Sequence, residues 1–585
     1  MAELRSLFTS RRWRVRQGGQ GLAEALSLQL GCSPALGRLL EGRGSGQPQD
    51  LLLGGRDQLH SPWAFAAMGP AVERLLLARE RAERVFIHGD FDVDGISGAA
   101  LLYLGLRQAG FAGLKVELED RARGHGLNQE VVKRILSEGF GLVITVDSGT
   151  SDPQHVAELE AAGVNVLITD HHQPLPELPP ATAILNPRLE SCGYPNKALA
   201  GVGVAFQLLR GLDERLGRAR EAERFLDLVM LGTVADLVPL VADGLAENKA
   251  LVAQGLELLA TGGGQLGLRA LVEKVGLDPA HLTAGEVGYI IAPKLNAANR
   301  VGDPRVAFLL LTAESRPRAE YLAEISLDYN RDRQVAQDDL LYQAEELIRA
   351  GAANPQGDRI IILEGDYWNP GILGLVASDL VDRYYRPAIL ISRGEGESRA
   401  SGRSIPEFDL MAGLERFSHL LLRHGGHSLA AGFSITNRNI PPLREGLFAY
   451  ARERLADLDG PISEVDTVLS PEEIDLKLYE EIQRLAPFGM GNPEPRFLLP
   501  RARLAALEVV GKGGNHLKCR FRAGEIEVEC IGFDMGHYAP KLWELGEVGL
   551  VFKLGRDEWL GQVKVQLELE DFVPASSLGR PPGSR

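Results

Sequence analysis

HGDFDVDGISG, residues 88–98, places aspartates at 90, 92 and 94 directly behind the apolar run Val85-Phe86-Ile87. A short β-branched and aromatic run that ends at a glycine reads as a buried strand. Three carboxylates at alternate positions repel one another. Their placement at the carboxyl end of a strand therefore requires something positive between them.

The pattern recurs along the chain. GLVITV (141–146) leads into Asp147 of VDSG, and VNVLIT (164–169) leads into Asp170-His171-His172. A fourth apolar segment, LVMLGTVADLVPL (228–240), carries Asp236 and reads as a further strand end. The helical stretches GAALLYLGLRQAG (98–110) and QEVVKRILSEG (129–139) lie between the first apolar runs. That alternation indicates βαβ units and a parallel sheet. In open α/β sheets, binding sites form outside the carboxyl ends of the strands, so these acids and histidines should converge on one edge. Taken singly, an aspartate after a strand is a helix cap and a histidine pair is a surface feature. Taken together, carboxylates gathered in this way must be neutralised by cations or take up protons. Carboxylate and imidazole donors without a thiol suit manganese or magnesium better than a structural zinc. There are acids enough to bridge two ions, the arrangement that serves phosphodiester and phosphoanhydride hydrolysis by activating water and neutralising phosphoryl charge.

The 585 residues exceed one core and suggest roughly three or four domains. At 45% hydrophobic and 24% charged, the composition is that of a soluble globular protein. A net charge of −16 excludes a uniformly basic nucleic-acid coat but not a confined basic groove. Cys32, Cys192, Cys519 and Cys530 form neither a CxxC pair nor a zinc spacing, which suits a reducing compartment. No apolar run reaches the ~18 residues of a membrane span, and MAELRSLFTSRRWRV has no signal-peptide core. The expected location is the cytoplasm, with no membrane contact.

Pattern changes divide the chain. Residues 1–70 read as an N-terminal extension packed on the first α/β domain, 71–318. Residues 319–353 form one long charged helical pattern that bridges domains. GAANPQGD (351–358) is a turn-rich break, after which RIIILEG (359–365) and PAILISRG (387–394) restart the alternation in a smaller α/β domain, 354–462. ARLAALEVV, HLKCRFRAG, IEVECIGF, VGLVFKLGR and VKVQLELEDF are short strands between turns and fit a small all-β barrel over 463–572. Residues 573–585 read as a disordered tail.

HGDFDVDG, VDSG, TDHH and GTVADLVPL together resemble the four motifs of the DHH phosphoesterase family. The resemblance implies that Asp92 and Asp94 bind the two metals and that Asp147 bridges them. His171 and Asp236 would complete one site, and Asp90 would support the other, directly or through water. His172 would face the scissile phosphate, and Asp170 would orient the histidines from a second layer. Further segments are LAGVGVAF (199–206), APKLNAANR (292–300), WNPGILGLVASDL (368–380), ASGRSIPEFDL (400–410), GGHSLAAG (425–432) and LAPFGMGNPEPRF (485–497). They resemble motifs of the bacterial single-strand-specific DNA exonucleases of that family, over residues 60 to 572. The implied architecture is an α/β multidomain chain: a parallel-sheet DHH domain, a long connecting helix, a smaller α/β DHHA1 domain and an all-β OB-fold.

The implied activity is a 5′→3′ exonuclease on single-stranded DNA that releases 5′-mononucleotides in repair and recombination, with two Mn2+ or Mg2+ ions. Arg403, Ser404 and His427 would hold phosphate, and Arg300 a terminal 5′ phosphate. Lys512, Lys518 and Arg520, with His516 and Arg522 nearby, would line the single-strand groove of the barrel. Phe521, Phe533 and Trp559 read as core or as stacking platforms. Two positions depart from the family pattern: Asn299, where glycine is usual, is expected to keep a left-handed turn, and His125 stands where tyrosine is usual. The chain is also shorter than relatives with an extra C-terminal domain, which weakens a partner assignment there. A single-strand-binding protein and a RecQ-type helicase are candidate partners that the sequence leaves open, and the expected state is monomeric. Two other readings are a DHH phosphodiesterase for short oligonucleotides or cyclic dinucleotides, and a non-catalytic DNA-binding scaffold.

Overall fold

A computed structural model describes residues 3–16, 21–44, 52, 58–119, 126–218, 220–559 and 562–575. Most of GRGSGQPQD, His125, the side chain of Trp559 and the tail 576–585 lie outside the described residues. The chain divides into two compact units, one of Ser61–Asp236 with Gly255–Leu458, the other of Met1–His60, Leu237–Gln254 and Asp459–Arg585.

The first unit opens on a five-stranded parallel sheet. In spatial order its strands are Leu114–Leu118, Val85–Gly89, Leu142–Val146, Asn165–Thr169 and Ala183–Leu185. The three central strands are the apolar runs read from the sequence, buried on both faces by helices as a parallel sheet requires. Both edge strands, LKVEL and AIL, are weakly patterned and escape that reading. Register fixes the site: Gly89 pairs with Val146 and Val146 with Thr169. Asp90, Asp147 and Asp170 therefore emerge side by side from adjacent strands, about 4.8 Å apart across the sheet.

Asp236 arrives differently. LVMLGTVADLVPL is a helix, Leu226–Ala235, and Asp236 is its C-terminal cap rather than a strand end. The helix is buried nearly all round, so it shows an unbroken apolar run with no 3.6-residue period, which sequence alone cannot separate from a buried strand.

The connecting helix runs Arg316–Arg349, with Pro317 in its first turn, where a missing N–H costs nothing. Its later half contributes Leu340 and Ala344 to the core of a second sheet domain, with Ile361, Ile372 and Leu390. That mixed sheet has the order Leu421–His427, Ala430–Thr436, Glu397–Arg403, Ala388–Arg393, Ile361–Asp366. Only the last pair is parallel.

The other unit is built on a closed five-stranded barrel of Phe497–Val510, His516–Ala523, Ile526–Gly532, Gln562–Pro574 and Glu547–Trp559. Pairing of Phe497–Arg503 with Glu547–Phe552 closes it and removes the sheet edges. Its last strand takes in Val573 and Pro574, which the sequence reading assigned to the tail. The N-terminal extension also differs from expectation. Strand Arg12–Val15 pairs with Ile462–Val465, and Leu36, Leu39 and Leu40 join the barrel's core, so residues 3–16 and 21–44 pack in this unit. The apolar face of a short helix does not name the surface it will cover, and residues 1–70 carry no signal of their partner. Among the described residues no helix is long and apolar enough to cross a membrane.

Candidate metal centre

Each functional side chain is set by its own piece of backbone. Asp92 caps the helix Val93–Gln108, accepting from the amides of Asp94 (2.9 Å) and Gly95 (3.3 Å). The capping role and a ligand role coexist, because a carboxylate has lone pairs left over. Gly95 is obligatory for this turn: a Cβ there would lie 2.6 Å from the Asp90 amide nitrogen. Asp94 is fully buried, and its two oxygens accept from the amides of Gly201 (2.6 Å) and Val202 (2.8 Å) at the start of helix Gly201–Arg215. A Cβ on Gly201 would sit 2.6 Å from Asp147 Oδ1, so LAGVGVAF supplies two donors and leaves room for a carboxylate.

Asp147 holds φ at +60°, an unusual conformation for a non-glycine residue and one found where a site imposes it. His171 Nε2 lies 3.0 Å from Asp147 Oδ1, 3.5 Å from Asp236 Oδ2 and 3.9 Å from Asp94 Oδ2. Asp170 lies behind this row. Its Oδ1 accepts from the amides of His171 (2.7 Å) and His172 (3.0 Å) and from His172 Nδ1 (2.9 Å), and its Oδ2 accepts from the Thr150 amide (3.0 Å). His172 is a third exposed, its Nδ1 held by Asp170. Asn186 donates to the His172 carbonyl at 2.9 Å, a support that sequence reading did not single out.

Three sets of ligand-type atoms fall within 4.8 Å of one another: Asp90, Asp92 and Asp147; Asp94, His171 and Asp236; and Asp147, His171 and His172. The donors fit hard divalent cations: carboxylate oxygens and imidazole, with no sulfur. Asp147 Oδ1 is buried and accepts no hydrogen bond from the described residues. The electrostatics agree. Burial, then repulsion from Asp90, pushes Asp92 up to about 6. Burial, then Asp92, pushes Asp94 to about 7. Burial and the same carboxylates push Asp236 to about 9 and Asp147 well above the carboxylate range. Asp170 goes the other way: despite its burial, the hydrogen bonds from His172 hold it well below that range.

Raised values mean that the metal-free fold binds protons here that the unfolded chain has released. The cluster's contribution to stability is therefore lost as pH rises from about 4 through 6, 7 and 9. Cations compete with those protons. At a fixed manganese concentration, the rise in melting temperature on adding the ion should be several degrees larger at pH 8 than at pH 6, read by calorimetry. An equal or smaller rise at pH 8 would show that the ion binds elsewhere.

A groove of about 890 Å³ is lined by Asn299, Arg300, Asn369, Arg399, Arg403 and Arg423 among others. Arg300 and Arg403 were legible in the sequence; Arg399 and Arg423 were not. His424 lines it, whereas His427, the histidine of the GGH motif, lies further along the same exposed strand. Ser404 Oγ donates to the Phe408 carbonyl at 2.7 Å and so stabilises a turn. Asn299 is helical, in Ala298–Val301, and not the expected left-handed turn.

In the barrel unit, Lys518, Arg520 and Arg522 alternate outward along His516–Ala523 while Leu517, Cys519 and Phe521 fill the core. Arg520 and Arg522 share Glu527, at 3.5 and 2.7 Å. Lys512 is exposed in the turn after Val510, and Phe533 is exposed beside His516.

Family models match three stretches: "DHH family, N-terminal domain" over 84–233, "DHHA1 domain" over 357–455 and "RecJ OB domain" over 465–571. The chain is 34% identical over 572 residues to a single-stranded-DNA-specific exonuclease RecJ of Bacillus subtilis, covering 97% of this chain and 71% of that protein. It is 32% identical to the same-named protein of Escherichia coli, covering 94% and 98%. The crystal structure of RecJ from Thermus thermophilus in complex with Mn2+ superposes with a TM-score of 0.81 at 29% identity, covering 98% of this chain and 80% of that one.

Proposed function

This chain belongs to the RecJ family of single-stranded-DNA-specific exonucleases, and we propose that six residues at its sheet edge hold two divalent cations for that reaction. It is a metal-dependent exonuclease acting on single-stranded DNA, and we propose that it proceeds in the 5′→3′ direction. Asp90, Asp92 and Asp147 would hold one cation, and Asp94, His171 and Asp236 the other. The observation that carries this assignment is that Asp90, Asp92 and Asp147, and again Asp94, His171 and Asp236, place ligand-type atoms within 4.8 Å of one another, while Asp147 shares a third such set with His171 and His172. When bound, Mn2+ or Mg2+ supplies Lewis acidity to the phosphoryl oxygens and makes water a nucleophile near neutral pH.

The protein's own groups do the rest. Asp170 fixes His172 through Nδ1, which turns Nε2 outward to the scissile phosphate. The guanidinium groups of Arg300, Arg399, Arg403 and Arg423 line the groove and offer charge-assisted hydrogen bonds to a phosphate backbone. The outward cations Lys512, Lys518 and Arg520 give the barrel a surface that suits a single strand. A single-strand-binding protein and a RecQ-type helicase are the partners we propose, because together they would supply an exposed single strand. Four unpaired cysteines suit a cytoplasmic enzyme.

Digestion of 5′-labelled single- and double-stranded oligomers with manganese, magnesium or chelator tests the reading. It requires nucleotide release from single strands with metal and none with chelator. Activity that survives chelation would overturn it. Arg300→Ala should lower kcat/KM roughly 10- to 100-fold on a 5′-phosphorylated strand, the value of a charge-assisted contact, and far less on a 5′-hydroxyl strand. Equal losses on both ends would remove Arg300 from end recognition.

A further inference from the structure

The short helix Ala298–Val301 ties the groove to the metal centre. Arg300 Nη1 donates to the Gly371 carbonyl at 2.8 Å, at the start of helix Pro370–Tyr384 in the second sheet domain. One residue earlier, Asn299 Nδ2 donates to the Phe91 carbonyl at 2.7 Å. Phe91 stands between Asp90 and Asp92, in the stretch that turns from strand into helix. The Asp90 amide and the Asp92 carbonyl of that stretch are held by Val146 and Ile96, and Asn299 reaches it from the groove side. The orientation of the amide is fixed. Nδ2 also lies 3.4 Å from Asn296 Oδ1, so both neighbours are acceptors, and turning the group over would set oxygen against oxygen. Asn299 Oδ1 is buried and accepts nothing from the described residues, so the side chain's one role within the protein is as a donor.

We propose that Asn299 is a positioning residue that locks the Asp90–Asp92 stretch to the backbone of Arg300, so that the bound phosphate and the cation ligands share one rigid frame. The proposal rests on the assignment of Asp90 and Asp92 to a metal site. A hydrophobic or smaller side chain at 299 keeps the helix but removes this donor from the Phe91 carbonyl, and the two carboxylates then lose part of what fixes their spacing. Outer supports of this kind govern metal affinity as well as rate.

Asn299→Ala and Asn299→Leu, the second filling the vacated volume, test it. The readouts are manganese affinity by calorimetry, the melting temperature of the metal-free protein, and kcat and KM on a 5′-phosphorylated oligomer. Both variants should bind manganese about tenfold more weakly and lose about tenfold in kcat, with KM within about twofold because Arg300 remains. Their metal-free melting temperatures should match that of the parent, which separates positioning from folding. Unchanged manganese affinity in either folded variant, or a loss confined to KM, overturns the proposal. Failure of the parent protein to bind manganese at all would instead overturn the metal site on which it rests.

Discussion

Asp147→Asn is expected to abolish turnover and, in the same protein, to raise the melting temperature of the metal-free form at pH 8. The loss of activity should be roughly a thousandfold or more, the equivalent of ~4 kcal/mol of transition-state stabilisation. It follows from position: Asp147 belongs to a set with Asp90 and Asp92 and to a set with His171 and His172. A neutral amide there leaves both cations short of charge. The gain in stability follows from electrostatics. Asp147 is buried beside Asp94, Asp92, Asp90 and Asp236, which together disfavour its ionised form. Above the unfolded value the fold bears that repulsion, so its removal stabilises, by a few degrees at pH 8 and by little near pH 4. Asparagine tolerates the positive φ of this position, so the backbone is kept. An inactive variant that melts lower at pH 8 would identify Asp147 as a structural residue.

Asp170→Asn, on the next strand, should have the opposite sign in stability. Its oxygens accept four hydrogen bonds, from three amides and one imidazole. An amide has one oxygen, so its nitrogen must face either the Thr150 amide or the histidine donors. The cost is roughly 3 kcal/mol, the value of buried hydrogen bonds to a charge. Because the folded value is depressed, this contribution is present above pH ~4 and is lost as pH falls below it. Activity should fall 10- to 100-fold, through the loss of His172 orientation. A thermally neutral Asp170→Asn variant would show that the carboxylate does not organise the histidine pair. Two neighbouring buried aspartates thus separate into opposite classes: one strained until cations arrive, the other satisfied by the protein.

Much of this was legible in the chain. The three central strands were, because parallel-sheet strands buried on both faces are short apolar runs with abrupt ends, and the acids stand directly after them. The closed barrel was, because its strands are separated by turn residues. The resemblance to family motifs supplied the candidate ligands before any geometry was known. The misses share a physical cause, in that each depends on a surface the local sequence does not describe. Asp236 sits on a helix buried on every side, whose missing periodicity mimics a strand. Residues 3–16 and 21–44 pack with the barrel, a choice made by the shape of a distant core. Arg399 and Arg423 join Arg300 and Arg403 only because strands Glu397–Arg403 and Leu421–His427 share a sheet with Ala430–Thr436 between them. Asn299 looked like a tolerated turn residue. In the structure it is a helical donor to a carbonyl 208 residues away.

The central claim is that two doubly charged ions bind between acids brought together from four separate segments. Anomalous diffraction at the manganese edge, from crystals of this protein soaked in manganese, tests it most directly. Two peaks about 3.5–4 Å apart are expected. One should lie beside Asp90, Asp92 and Asp147, the other beside Asp94, His171 and Asp236. Crystals with no peak at that sheet edge, or with manganese only at other carboxylates, would contradict it.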